Sequence, residues 1–579
     1  MPAVARDGRV TFRTVLGSLC TASTMKHLSA VSIVLLLAAG SALVQGWLIT
    51  HATVPAADSV GFVSLAQAFA RDGLPATLHK DRSPPLYPML VCASHWALSR
   101  SGSIAESDWG TAAQVAAAVP LALVMGLSWL LFRRSVPTAA AILAAGFGCV
   151  LTVLARLGAD GLSDSTHLAF LTIGLVLLAA ALDRDALAKV FSWSAAARLF
   201  AAGIALACAQ LTRVDAAIVI PALVIGLAIE ACCLKRVPLP RALLSCASVV
   251  AGFLFVAAPY LIASQPASPA EAVARLWGLR GPGERVPLNL AAGDAATAQR
   301  APKPQWRLAN GQPMAFGRND PTQSIRFRGR PAACVEFIRE VAQSLNYLLG
   351  PLALAGLWFW RSKIRRPIDL FLVLLVLIHV SCALAVAMTR GYLAGRHVLL
   401  IVWLTLPWAG LGVCRLGQLA AACAARWLHR PQAAFWEPAA TLGLAAAVGA
   451  GCLATTLVPL HSSHSGHQRA VEWLASQGDD GAVLDSAGYT ALYSGRKTYR
   501  YAAAADALRD PELAYLVIER RELTADTPRG ATLRELLGQF AEPEAIFAPP
   551  AVKAPTRTVL LFRWRPWEFA HHLRGNHAR

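Results

Sequence analysis

Charged side chains are scarce in this sequence. They make up 15% of its 579 residues, against ~25% in ordinary soluble domains, while 56% are hydrophobic and the mean hydropathy is +0.48. A soluble enzyme is excluded, and an α-helical polytopic membrane protein is predicted. CxxC pairs are absent as well. The twelve cysteines fall almost entirely in or beside apolar runs (Cys149, Cys208, Cys246, Cys382 and Cys452 among them), and Cys334 stands alone in a long loop. That excludes a disulfide framework and a zinc ribbon, since a cysteine in an apolar span behaves as a small hydrophobe. His571 and His572 near the end have no ligand partners at metal spacing. Acids are few, 34 against 53 Lys and Arg, for a formal charge of +19. The excess is spread over hairpin loops without a nucleic-acid-binding motif, so topology and anionic lipid explain it better than RNA or DNA.

Arg6, Arg9, Arg13 and Lys26 precede an apolar run from His27 to Ile49. The run exceeds the ~7–15-residue core of a cleavable signal peptide, so it predicts an uncleaved first helix with a cytosolic N-terminus. Further spans are expected near Thr111 to Phe132, Thr138 to Ala155, Thr166 to Leu182, Arg198 to Leu211, Ala216 to Cys232, Leu243 to Leu261, Ser344 to Trp360, Asp369 to Met388, His397 to Val413 and Ala439 to Val458, about eleven helices in all. Leu86 to Leu98 is too short to cross and is placed at the interface. Keeping it there puts Arg133 and Arg134, and the later basic hairpins through Arg415, Arg426 and Arg430, in the cytosol. The domain plan is a cytosolic segment 1–26, a membrane domain 27–458 and a small extracytoplasmic α/β domain 459–579. The membrane domain includes outer loops 50–110 and 262–341, and the α/β domain ends in a disordered tail. In that last domain His467 to Ala475 and Leu533 to Phe540 read as helices, and Ala482 to Leu484, Tyr515 to Ile518 and Thr558 to Phe562 as strands.

Scarcity of charge outside the cytosol makes the charges that are there informative. Asp58 follows the first span directly, and Phe62, Leu65, Ala66, Phe69 and Ala70 recur behind it at helical spacing, which predicts an amphipathic helix lying on the membrane. The outer ends of the spans gather Asp58, His79, Arg82, Asp160, Asp164, Arg213, Asp215, Arg390, Arg396 and His397. A carboxylate that can accept a proton, opposed to arginines that can fork onto phosphate oxygens, is the equipment for group transfer from a lipid phosphate. The basic loop Ile262 to Val341 suits attraction to anionic headgroups or a pyrophosphate, or is a solvated connection.

The acid after the first helix, the PPLYP turn at Pro84 to Pro88, LTRVD at Leu211 to Asp215 and RGYLAGRH at Arg390 to His397 together resemble the bacterial GT-C (C-type fold) integral membrane glycosyltransferases. That group includes protein O-mannosyltransferases and aminoarabinose transferases. The resemblance runs to about Val458, and YSGRKTYRY at Tyr493 to Tyr501 looks like the group's usual close. It implies an inverting transfer of a sugar from a polyprenyl-phosphate donor to a lipid, protein or polysaccharide acceptor at the outer face of the cell inner membrane. Asp58 matches the catalytic position and would be the general base. Arg82, Arg213, Arg390 and Arg396 would contact phosphate, with His79 and Asp164 as further substrate-binding residues. Ser59 and Gly61 stand where several relatives carry a second acid, and Arg82 where a histidine is more usual, so the motif does not support a divalent metal and no other cofactor is implied. Two other readings stay open. An O-antigen ligase or polymerase would depend on arginines of the long loop. A transporter or flippase would be expected to show an internal hydropathy repeat, and none is evident.

Overall fold

The computed structural model describes residues 29–80, 83–105, 108–182, 192–264, 330–361, 367–390, 393–427, 433–525, 527–537, 543–548 and 557–565. Apolar helices dominate up to Thr456, and a five-stranded sheet follows. Helix α1 (Ala30–Thr50) starts where the Ser29 side chain accepts a hydrogen bond from the Ser32 amide. After it come α2 (Ser59–Asp72), α3 (Leu74–Lys80), α4 (Leu86–Arg100) and α5 (Trp109–Phe132), the last capped by Asp108 on the Thr111 amide at 2.9 Å. Next are α6 (Thr138–Val150), α7 (Thr152–Ala159), α8 (Ser163–Ala181) and α9 (Trp193–Gln210). A 3-10 turn (Val214–Ile218) then leads into α10 (Val219–Ala228). The bundle is completed by α11 (Leu239–Ser264), α12 (Arg330–Ser344), α13 (Leu349–Trp360), α14 (Pro367–Arg390), α15 (Gly395–Trp427) and α16 (Ala433–Thr456).

Among the described residues nine helices are long and apolar enough to cross a membrane, ten if α6 and α7 count as one span broken by 52°. That is roughly the eleven expected, and the spans that differ do so for physical reasons. The Thr138 to Ala155 span breaks at Leu151, whose extended backbone interrupts the helical ladder. The carbonyls of α7 find other donors: the Gln45 amide reaches Ala155 O and the Gln114 amide reaches Ala159 O, each at 2.7 Å. A broken helix at membrane depth is tolerated when its backbone is satisfied in this way. The expected Ser344 to Trp360 span is α13, with 12 residues. At ~1.5 Å per residue it covers about 18 Å, well short of a bilayer core. Helix α15 errs the other way, since its 33 residues carry Arg415 and Arg426 on the same helix as the expected span instead of in a hairpin. Part of the expected loop Ile262 to Val341 is helix α12; residues 265–329, with most of its arginines, lie outside the described residues.

Glycine sets the closest helix contacts. A Cβ at Gly203 of α9 would meet the Val249 carbonyl oxygen at 2.0 Å, and one at Gly252 of α11 would meet Phe200 O at 2.0 Å, so these helices cross backbone on backbone. In the bundle core Trp403 is fully buried and donates its indole N–H to Ser128 Oγ at 2.8 Å.

Beyond α16 lie α17 (Ser465–Ser476), β1 (Ala482–Asp485), α18 (Thr490–Tyr493), β2 (Thr498–Arg500), β3 (Leu513–Glu519), α19 (Pro528–Leu537), β4 (Ala545–Phe547) and β5 (Val559–Arg563). The sheet order is β2-β1-β3-β5-β4, parallel among β2, β1 and β3 and antiparallel through β5 and β4. Strand β1 is buried along its length and β3 nearly so, which is why both read as continuous apolar runs rather than alternating ones. The three expected strands are present; β2 and β4, three residues each, carry no readable period.

This sheet region rests on α2. Val60, Val63 and Ala66 pack with Tyr87 and Ala113 on one side and with Tyr489 and Leu492 on the other, and the Gln67 amide reaches Ala491 O at 3.0 Å. The apolar face of α2 is therefore clamped between the bundle and the sheet region rather than laid on lipid alone, and Ala70 of the expected stripe is exposed.

Candidate functional site

Asp58 occupies the N-cap position of α2, where an aspartate ordinarily accepts from its own helix's amides. It makes no such bond. Its carboxylate instead pairs with the Arg396 guanidinium, 338 residues away in the first turn of α15. The segment before α2 is held by backbone bonds from Ala56 N to Asp160 O at 3.2 Å and from Ser59 N to Ala56 O at 2.9 Å, which fix where the carboxylate starts. Both partners stay reachable, with side-chain exposures of 41% for Asp58 and 34% for Arg396.

A second group lies beside this pair. Arg213, in extended backbone between α9 and the 3-10 turn, pairs with Asp164 in the first turn of α8. Its Nε and Nη2 also converge on Asp215 Oδ2 at 3.0 and 2.8 Å. Asp164 is buried, as is most of Arg213. Burial alone would weaken the guanidinium's hold on its proton. Asp164, Asp215 and Asp58 outweigh it and hold Arg213 above its ordinary range, and this ties Asp58 electrostatically to the second group. The PPLYP turn joins through Leu86 N to Leu211 O at 2.9 Å, and through Tyr87, which donates to Ala113 O at 2.9 Å. Burial raises the Tyr87 phenol well above its usual pKa, and Asp164 adds to that rise.

The structure thus brings together Asp58, Asp164, Arg213 and Arg396 of the residues expected from the sequence. Arg390 ends α14 and His79 lies in α3, but their side chains are outside the described residues, as is the whole of Arg82. Asp215, gathered with them from the sequence and closing the LTRVD motif, completes the Arg213 fork. Two further residues were missed. His167 lies one turn after Asp164 on α8, with Nδ1 on Ala209 O at 3.1 Å; its i, i+3 position was the available signal. His379 of α14 bonds His397 O at 3.0 Å, and nothing in its neighbourhood in sequence pointed to it. Every acid of the cluster faces an arginine. Such a site can take a proton at an exposed carboxylate and can hold an anion with arginines fixed by carboxylates behind them.

No protein-family model and no curated protein sequence matches the chain. Solved structures do. ArnT from Cupriavidus metallidurans in the apo state superposes with a TM-score of 0.56 at 12% identity, over 93% of this chain and 99% of that one. ArnT from the same organism bound to undecaprenyl phosphate gives 0.54 at 11% identity, over 92% and 98%. The apo Archaeoglobus fulgidus oligosaccharyltransferase gives 0.53 at 12% identity, over 94% of this chain and 77% of that one. Identities this low carry the fold and nothing finer: over almost its whole length, this chain has the GT-C fold of integral membrane glycosyltransferases.

Proposed function

We propose that this protein is an inverting glycosyltransferase that moves a sugar from a polyprenyl-phosphate donor to the hydroxyl of a lipid, protein or polysaccharide acceptor. The observation that carries the reading is the half-exposed Asp58 carboxylate set against Arg396 and Arg213 in a bundle with the GT-C fold. The ArnT structure with undecaprenyl phosphate supports a lipid-phosphate donor. In the reaction, Asp58 accepts the acceptor's hydroxyl proton as its oxygen attacks the anomeric carbon. The bond from that carbon to the phosphate oxygen breaks on the opposite face, and the electron pair leaves with the polyprenyl phosphate. Arg396 stabilises the charge that develops there, and Arg213, braced by Asp164 and Asp215, sets the field around it. Arg82 and Arg390 are further candidates for the phosphate, and His79 for either substrate. The guanidinium groups supply positive charge for these steps.

The basic residues clustered at Arg133, Arg134, Arg236 and Arg241 support a cytosolic placement for that end of the bundle and an inner-membrane enzyme with its site outside. Domain limits at 27–458 and 459–579 belong to the same proposal. Single cysteines at the exposed Ser101 and Gln477, in a background cleared of native reactive thiols, should react with a membrane-impermeant maleimide in intact spheroplasts. Protection of both would overturn the orientation. The chemistry is tested by transfer from a polyprenyl-phosphate sugar in liposomes. Asp58→Asn should lower turnover by ~10²–10⁴-fold, the range for a general base. Asp58→Glu should recover only part of that, because a displacement of about 1 Å already spoils the attack geometry. Full activity in Asp58→Asn would remove the residue from the mechanism.

A further inference from the structure

The connector from α16 into the sheet region carries three histidines at intervals of three: His461, His464 and His467. His467 and Glu519, at the end of β3, are almost wholly buried, and His464 is 12% exposed. One oxygen of Glu519 faces both rings, 3.0 Å from His467 Nε2 and 3.4 Å from His464 Nδ1, and the three groups present ligand atoms all within 4.8 Å of one another. A tetrahedral ion with bonds of ~2.0–2.1 Å separates its ligand atoms by about 3.3–3.4 Å, close to both distances. Among the described residues the buried His464 Nδ1 has no aligned hydrogen-bond partner, its 3.4 Å approach to Glu519 included, and the buried hydroxyl of Tyr489, whose ring lies 4.8 Å from that of His467, has none either. Arg521 pairs with the other Glu519 oxygen, the arrangement by which an outer group aims a carboxylate ligand.

We infer that His464, His467 and Glu519 form a site for one divalent cation, with Zn2+ the best fit to two imidazoles and a carboxylate. The ion ties the connector to the sheet. Three residues earlier His461 Nε2 meets Asp160 Oδ1 at 2.8 Å, and the Asp160 backbone carbonyl holds the segment leading to Asp58, so the clasp secures the seat of the sheet region on the bundle. One neighbour competes. The Arg557 guanidinium lies on His464 Nε2, and metal at Nδ1 puts a proton on that nitrogen, so Arg557 must turn aside when the ion binds.

The test uses the full-length protein, stripped with a chelator in detergent and titrated with ZnCl2 by calorimetry without any sugar substrate, so that its outcome is separate from the transferase reading. One Zn2+ per chain is expected. His464→Ala and Glu519→Gln should each weaken binding by at least about tenfold, whereas Arg557→Ala should tighten it. X-ray absorption at the zinc edge of the wild-type protein should show a nitrogen and oxygen shell with imidazole scattering, and this readout needs no variant to fold. Absence of stoichiometric Zn2+, a shell containing sulfur, unchanged affinity in both ligand variants, or unchanged or weaker binding in Arg557→Ala would each overturn the site.

Discussion

The two acid–arginine groups at the candidate site are built from the same chemistry and differ in their access to water. Asp58 and Arg396 are each more than a third exposed, while Asp164 is 3% exposed and its partner Arg213 18%. An exposed pair gains little from its own attraction, because water screens it and both side chains lose rotamer freedom, so its typical worth is about 0–1 kcal/mol. A buried pair that loses one partner strands a charge away from water, at a cost of roughly 3–5 kcal/mol. The first arrangement leaves a base and a cation free to serve a substrate. The second fixes an arginine in place. What separates the machinery from its support is solvent access, since residue type is the same in both.

The largest effect that could break this comparison is on stability. Asp164→Asn should lower the thermal unfolding midpoint in detergent severely, since Arg213 loses its buried partner and keeps Asp215 as its remaining ion pair among the described residues. Asp58→Asn should leave the midpoint near wild type even as turnover collapses. If the two variants were equally unstable, the division into base and brace would be wrong.

A smaller effect is expected on the donor. Arg396→Ala should weaken polyprenyl-phosphate binding by ~1.5–3 kcal/mol, the worth of a charge-assisted hydrogen bond, with little loss of stability. Asp58 and Arg396 touch, so their effects on turnover should be non-additive by about 0.5–3 kcal/mol in a double-mutant cycle. Strict additivity would mean that the two residues serve the reaction separately.

Most of the fold was legible because composition and length decide whether a helix crosses a membrane. The run after Lys26 and the Thr111 to Phe132 span could hardly be anything else. What misled was local backbone: Leu151 breaks a span that hydropathy joins, and α13 is apolar yet too short. Asp58 and Arg396 could each be named from the sequence, because charge is scarce here and both stand at the ends of apolar runs. Their contact could not, since the two lie 338 residues apart and a separation of that length leaves no local pattern of it. His379 shows the limit most clearly. It lies within an apolar span and reaches the site only because α14 passes beside the start of α15. His464 and His467 did carry a signal, an HxxH spacing, but their carboxylate comes from a strand more than fifty residues on, and spacing alone could not supply it.

A third acid–arginine pair sharpens the comparison, because it matches the first in the exposure of its acid and lies in the sheet region. Asp479, 39% exposed, accepts from Arg496 Nη1 and from the Tyr515 hydroxyl, both at 2.6 Å. Its slight burial would raise its pKa, but the bonds from Tyr515 and Arg496 outweigh that and hold the carboxylate below its ordinary value of 3.8. A depressed folded-state pKa contributes stability that is present above the unfolded value and is lost as pH falls through the folded one. Asp479→Asn should therefore cost about 1 kcal/mol or less at neutral pH, discounted for solvent screening. The gap in unfolding midpoint from wild type should hold down to about pH 4 and close below it. Transfer activity should be unchanged throughout, in contrast to Asp58→Asn, which has a carboxylate of similar exposure. A gap that widened in acid would reverse the assignment of Asp479 as a stabilised carboxylate. A loss of turnover equal to that of Asp58→Asn would mean that exposure and charge, rather than placement against Arg396 and Arg213, explain the sensitivity of the site.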